Sequence, residues 1–157
     1  MTTIRDIQDF LALHRIAMVG VSRDAKDFSR TLFREMCNRG YDMVPVNLLA
    51  SEIEGRDCFQ SLRAVKDRVE GVVVMTPANE ALRVAEDCAA AGIKNVWLYR
   101  AGGHGAVSAE AINFCRQNEI RVVEGHCPFM FLPATSFPHR VHGFLMKITG
   151  RYPACAA

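Results

Sequence analysis

The sequence predicts an α/β fold: a Rossmann-like, doubly wound parallel sheet of five strands with a C-terminal helical extension. Three observations carry this reading. Five short apolar runs, at 16–21, 43–46, 72–75, 95–99 and 120–123, alternate with segments of helical period. Two of the runs, "VVVM" and "NVWLY", are continuously apolar, as expected of strands covered by helices on both faces. The stretch "IAMVGVSRDAKDFSRTLF" passes from a strand, through a turn at Gly20, straight into a helix. Strand–helix alternation of this kind implies parallel pairing with right-handed crossovers. Five strands with one reversal most simply give the order 3-2-1-4-5, with the switch point between the first and fourth.

The elements follow in chain order. Residues 1–15 read as a short amphipathic helix, with Ile4, Ile7, Phe10 and Leu11 on one face. Its Asp6 and Asp9 leave no uninterrupted apolar stretch, so it is no secretory signal. After the first strand, Leu32, Phe33, Met36 and Cys37 repeat at helical spacing, and Gly40 is a stop signal. Residues 51–67 suggest a loop and a short helix. Thr76-Pro77 reads as an N-cap followed by proline at the first helical position, and Gly92 closes that helix. Ser108 caps a helix over 109–117. Beyond Cys127-Pro128 the chain becomes apolar, proline-punctuated and then helical, so 1–157 reads as one domain with an extension at 128–157.

Bulk composition excludes several classes. A length of 157 residues suits a single domain that buries roughly two-thirds of its unfolded surface. No apolar run approaches the roughly 20 residues a membrane helix needs. Six scattered cysteines without a CxxC pair argue against zinc and against a disulfide framework, and for free thiols in the cytoplasm. A net charge of +2 gives no ground for nucleic-acid binding, although fifteen arginines against four lysines suit phosphate contact.

In open α/β sheets, ligands bind beyond the carboxyl ends of the strands near the switch point. Here those ends carry Gly20-Val21-Ser22-Arg23, Asn47, Thr76-Pro77, Arg100 through Gly105, and His126-Cys127-Pro128. Gly20 permits a sharp turn, and a following helix offers unpaired N–H groups to an anion. Ser22 and Ser29 can add hydroxyls, while Arg23, Lys26 and Arg30 can add charge; the alternative is an ordinary loop capped by Asp27 or Ser29. A dinucleotide turn needs a second glycine and an acidic residue ending the second strand. Ser22 and Asn47 stand in those places, which disfavours NAD.

The stretch "IAMVGVSRDAKDFSRTLFREMCNRGYDMVPVN" resembles the first βαβ unit of the small stand-alone CoA-binding proteins. Their fold is similar to the CoA-binding domain of the succinyl-CoA synthetase alpha subunit. The likeness continues through "GRDCFQSL", "VVVMTPANEALRVAEDCAAAGIKNVWLY" and "AINFCRQNEIRVVEGHCPFM". It implies a CoA or acyl-CoA ligand held by a Gly-x-Ser turn with a downstream serine, matched by Gly20, Ser22 and Ser29. It further implies contacts from Asn47, from the backbone at Met75-Thr76-Pro77, and from Cys127 after the last strand. Arg30 replaces a family-typical tyrosine, and "YRAGGHGAVS" is longer than the usual turn. In the synthetase the phosphohistidine lies in a second domain, so the resemblance implies binding as a carrier, sensor or thiol-redox partner rather than ligase chemistry.

Cys127 beside His126 suggests a thiol able to form a mixed disulfide with CoA, against the alternative of a buried packing residue. His104 in its glycine-rich loop, and His139 and His142 three apart, complete the reactive candidates. Trp97 and Tyr99 read as core. An NAD(P)-dependent oxidoreductase and an interaction module regulating an acyl-CoA enzyme are the competing functions. The apolar segment after Cys127 is expected to pack on the domain or on a second copy, giving a homodimer.

Overall fold

The computed structural model describes residues 1–101 and 104–132, with the backbone alone described at Lys66, Asp67, Ala101 and His104. Helix α1 (Ile4–Leu11) opens on a capping box, in which Thr3 and Asp6 satisfy each other's backbone N–H groups. Strand β1 (Arg15–Val19) leads to α2 (Phe28–Asn38) and β2 (Asp42–Val46). A two-residue antiparallel hairpin follows, β3 (Glu52–Ile53) with β4 (Arg56–Asp57), and then a 3₁₀ helix at Leu62–Arg68. The chain re-enters the sheet as β5 (Gly71–Val74), α3 (Ala78–Ala90) and β6 (Asn95–Ala101). A short β7 (His104–Gly105) pairs antiparallel with the end of β6, and α4 (Ala109–Gln117) leads to β8 (Arg121–His126).

The sheet is Rossmann-like and its five long strands are all parallel, but their order is β2-β1-β5-β6-β8. In terms of the five apolar runs this is 2-1-3-4-5, not the expected 3-2-1-4-5, so the switch point lies between the first and third runs. The cause is visible on the outer edge of β2. Phe59 bridges Val46 there: its N–H donates to the Pro45 carbonyl (3.0 Å) and its carbonyl accepts from Asn47 (2.9 Å). Arg56 reinforces this with an ion pair to Asp42 at 3.0 Å. The irregular 51–69 connection therefore occupies the edge that the third run was expected to take. The third run instead pairs with the free edge of β1, Ile16 opposite Gly71 through Val19 opposite Val74. Every residue of β5 is buried, as an interior strand requires.

Two apolar layers flank the sheet. Ala17, Val72, Val74 and Val96 pack under α3 and α4 on one face. Ile16, Met18, Val73 and Trp97 pack under α1 and α2 on the other. Trp97 is fully buried, meets Phe10 edge-on at 5.3 Å and donates its indole N–H to the His126 carbonyl at 2.9 Å. A 3₁₀ turn at Pro128–Met130 folds the start of the C-terminal segment onto this second layer, burying Phe129 and Leu132. The part of the expected extension beyond residue 132, with His139 and His142, lies outside the described residues.

Candidate functional site

The carboxyl ends of β1 and β5, neighbours at the switch point, frame a cleft of two chambers that meet over Gly20 and Thr76. The narrower chamber, about 380 Å³, runs between the end of β2 and α3. Val19, Val46, Leu48, Leu49, Leu62 and Val84 form its apolar walls. Leu48 and Leu49 are 61% and 72% exposed, so they stand as a lip rather than as core. Glu80, Arg83 and Asp87 add a polar margin from α3, where spacings of three and four residues bring them onto one face. The wider chamber, about 550 Å³, extends toward the ends of β5 and β6 and the start of α2. Ser22, Asp27, Phe28, Met75, Ala78 and Tyr99 are among the residues lining it.

Gly20 holds the junction in place. It adopts φ +84°, and a Cβ there would lie 2.8 Å from Thr76 Cγ2 and 2.9 Å from the Thr76 amide nitrogen. Only glycine allows β1 to approach β5 so closely in this left-handed conformation. Its N–H donates to the Val46 carbonyl at 3.1 Å, so all three strand ends are tied together. Asn47 adds a second tie: its amide donates to the Val21 carbonyl and its Oδ1 accepts from the Leu49 N–H, each at 2.8 Å. Asn47 lines the narrower chamber, where an acidic ribose ligand would stand in an NAD site.

The first turn is braced from within. Ser22 N–H donates to Ser29 Oγ (2.9 Å), and the Ser29 hydroxyl donates to Asp27 Oδ1 (2.5 Å). Asp27 also caps α2 by accepting the Ser29 N–H at 2.8 Å. A carboxylate thus occupies the first turn of the helix that the sequence offered to an anion. The vacant helix start is that of α3. The sequence placed Thr76 at its cap, but Pro77 occupies the cap position and supplies no side-chain bond. Thr76 is instead only 9% exposed, and its hydroxyl is buried without a partner where the two chambers meet. A buried hydroxyl left unpaired costs free energy, which a ligand able to bond it would recover.

Of the residues chosen from sequence, Gly20, Ser22, Ser29, Asn47, Thr76 and Pro77 line the cleft. Arg23 and Lys26 are exposed on the loop beside it. Three others are placed elsewhere. Val21 is fully buried in the layer under α2, and only its carbonyl faces Asn47. Arg30 is turned to Glu54, with Nε–Oε1 at 2.8 Å, and its Nη1 donates to the carbonyls of Ser22 and Arg23. It pins the turn to the β3–β4 hairpin. Cys127 is 5% exposed in the core and lines neither chamber.

The expected thiolate character of Cys127 is reversed. Burial pushes its thiol up to about 11, which a weak bond from the Phe129 backbone offsets only in part. Burial likewise lowers the basicity of His126, despite the charge of Glu124 nearby, so it is a poor source of stabilising positive charge. None of the five described cysteines is in a disulfide. Tyr99, read from sequence as core, lines the wider chamber, and its ring stacks on Phe28 at 5.5 Å. Burial, then the neighbouring Cys127 and Asp27, push its phenol above the usual range. Met75, expected to contribute backbone, lines this chamber as well, and Phe28 is a further lining residue the sequence did not single out, although it flanks a chosen motif. Among the described residues, no cluster of three or more His, Cys, Asp or Glu could hold a metal ion, and no helix is long and apolar enough to cross a membrane.

A doubly wound parallel sheet with a divided cleft at its switch point defines a Rossmann-like α/β domain of the ligand-binding kind. Residues 14–133 match the CoA binding domain family, and the chain belongs to that family. It is 25% identical over 88 residues to the alpha subunit of ADP-forming acetate–CoA ligase II from Pyrococcus furiosus, covering 55% of this chain and 19% of that protein. A conserved hypothetical protein from Pyrococcus furiosus superposes with a TM-score of 0.67 at 29% identity, over 73% of this chain and 95% of that one. The dinucleotide-forming acetyl-coenzyme A synthetase 1 of Ca. Korarchaeum cryptofilum superposes with a TM-score of 0.62 at 26% identity, over 71% of this chain and 26% of that one. The chain spans less than a fifth of the length of the curated ligases it matches.

Proposed function

We propose that this chain binds CoA or an acyl-CoA along the two-chambered cleft and serves as a carrier or sensor of that ligand rather than as a catalyst. The observation that carries the reading is the junction at Gly20 and Thr76, where two cavities meet beside a buried hydroxyl without a partner and a helix start without a side-chain cap. The narrow chamber, with its aliphatic walls and leucine lip, suits the adenine ring. The diphosphate then falls at the junction, where α3 offers free N–H groups and a positive dipole end. Arg23 and Lys26, exposed on the loop beside the cleft, add positive charge on the solvent side. The pantetheine arm continues into the wider chamber toward Phe28 and Tyr99.

A passive role is supported by the state of the polar groups there. Ser22, Asp27 and Ser29 are already bonded to one another, and the raised Tyr99 phenol stays protonated at neutral pH. An oxidoreductase is opposed by Asn47, whose amide is engaged with backbone and which cannot accept both hydroxyls of a ribose as a carboxylate does. Calorimetric titration with CoA, NAD and ATP separates these readings. CoA is expected to bind and NAD is not. Heat from NAD alone would overturn the assignment.

A further inference from the structure

Among the described residues, the lining of the wider chamber contributes one charge. Among the described residues lining it, Asp27 is the only ionisable side chain apart from the raised Tyr99 phenol, and no lysine or arginine joins it. The Asp27 carboxylate cannot swing away freely, because one oxygen is held by both the N–H and the hydroxyl of Ser29. Of the basic residues nearest in sequence, Arg30 is committed to Glu54, and Arg23 and Lys26 are exposed on the loop and line neither chamber. The remaining walls include Phe28, Met75 and Tyr99. A fixed negative charge beside apolar walls repels a second anion and leaves a neutral chain untouched.

We propose that Asp27 makes the wider chamber selective for CoA thioesters of neutral acyl groups over those ending in a carboxylate. This rests on the reading that the pantetheine arm enters that chamber, carrying the acyl group at its end, and it goes further by naming the acyl class. Asp27 lies at the surface, so the repulsion is screened and salt-dependent rather than absolute.

The test compares valeryl-CoA with glutaryl-CoA, which share chain length and differ in one terminal carboxylate. Calorimetry on the full chain at low salt is expected to give valeryl-CoA a Kd about tenfold below that of glutaryl-CoA. Asp27→Asn removes the charge and keeps an equivalent helix cap, and Asp27→Ser gives a second neutral cap. In both variants the ratio should fall to within about threefold, mainly by tighter glutaryl-CoA binding. Equal affinities in the unaltered protein, or a ratio that survives both substitutions, overturns the inference while leaving CoA binding intact. Failure of CoA itself to bind overturns the binding proposal, and this inference with it.

Discussion

Replacing Gly20 with alanine sets a methyl group against the end of β5. Gly20 has φ +84°, and an L-residue there costs about 1–2 kcal/mol in backbone strain. The added Cβ would also lie 2.8 Å from Thr76 Cγ2, 2.9 Å from the Thr76 nitrogen and 3.2 Å from the Met75 carbonyl carbon. Two of those atoms are backbone in a buried strand end, so the overlap cannot be relieved by rotating a side chain. Overpacking of this kind costs about 1–3 kcal/mol more. The total, about 2–5 kcal/mol, is a large share of the 5–15 kcal/mol typical of a whole domain. With a urea dependence of about 2 kcal/mol per molar, the midpoint should fall by about 1–2.5 M. Gly40 is the control, since its φ is +90° but nothing lies within 4 Å of its Cβ position. Gly40→Ala should show the backbone cost alone. Equal losses in the two variants would refute the close approach of β1 to β5, and with it the geometry of the junction.

Thr76→Val removes the orphaned hydroxyl, so the ligand-free protein should keep or gain up to about 1 kcal/mol in urea unfolding while CoA affinity falls about tenfold; a destabilised variant with unchanged affinity would mean the hydroxyl is bonded within the fold. Brief treatment with CoA disulfide, followed by peptide mapping, should leave Cys127 unlabelled until the protein is unfolded, because its thiol is buried and pushed up to about 11; early labelling of Cys127 would restore the redox reading. Burial raises the Glu54 carboxyl, but bonds and charge from Arg30 and Arg34 more than reverse this and hold it below the usual value. A depressed folded-state pKa contributes stability above the unfolded value of about 4.3, lost as pH falls through the folded value. Glu54→Gln should therefore cost about 1–2 kcal/mol at pH 7, and the gap to the unaltered protein should close only below about pH 4.3; a gap independent of pH would mean the ion pairs contribute nothing.

The strands were legible because each is a short apolar run bounded by turn residues, and the helices because their buried positions repeat at helical spacing. Ile7 and Phe10 in α1, and Leu32, Phe33 and Met36 in α2, lie where that periodicity puts them. The strand order was not legible in the same way. Period and propensity describe one strand at a time, and nothing in "VVVM" states which edge it joins. The deciding contact is made by Phe59, which lies in the irregular 51–69 connection. The site was half legible. Gly20, Ser22, Asn47 and Thr76 could be placed at strand ends by counting, whereas direction was hidden: Arg30 turns to Glu54, and Cys127 turns inward. Asp27 was visible only as a helix cap, because its second role depends on the space left between α2 and β6. The family resemblance supplied the ligand class, which no spacing in the chain would have given.

A CoA molecule bound as proposed bridges both chambers across Gly20 and Thr76. Titration of CoA into nitrogen-15-labelled protein, followed by amide chemical shifts, reads out that bridging residue by residue. Saturable shifts are expected at Gly20, Ser22, Thr76 and Ala78 at the junction, and at Leu48, Leu49 and Tyr99 in the two chambers. Shifts confined to one chamber, or clustered away from the carboxyl ends of β1 and β5, would contradict that bridging.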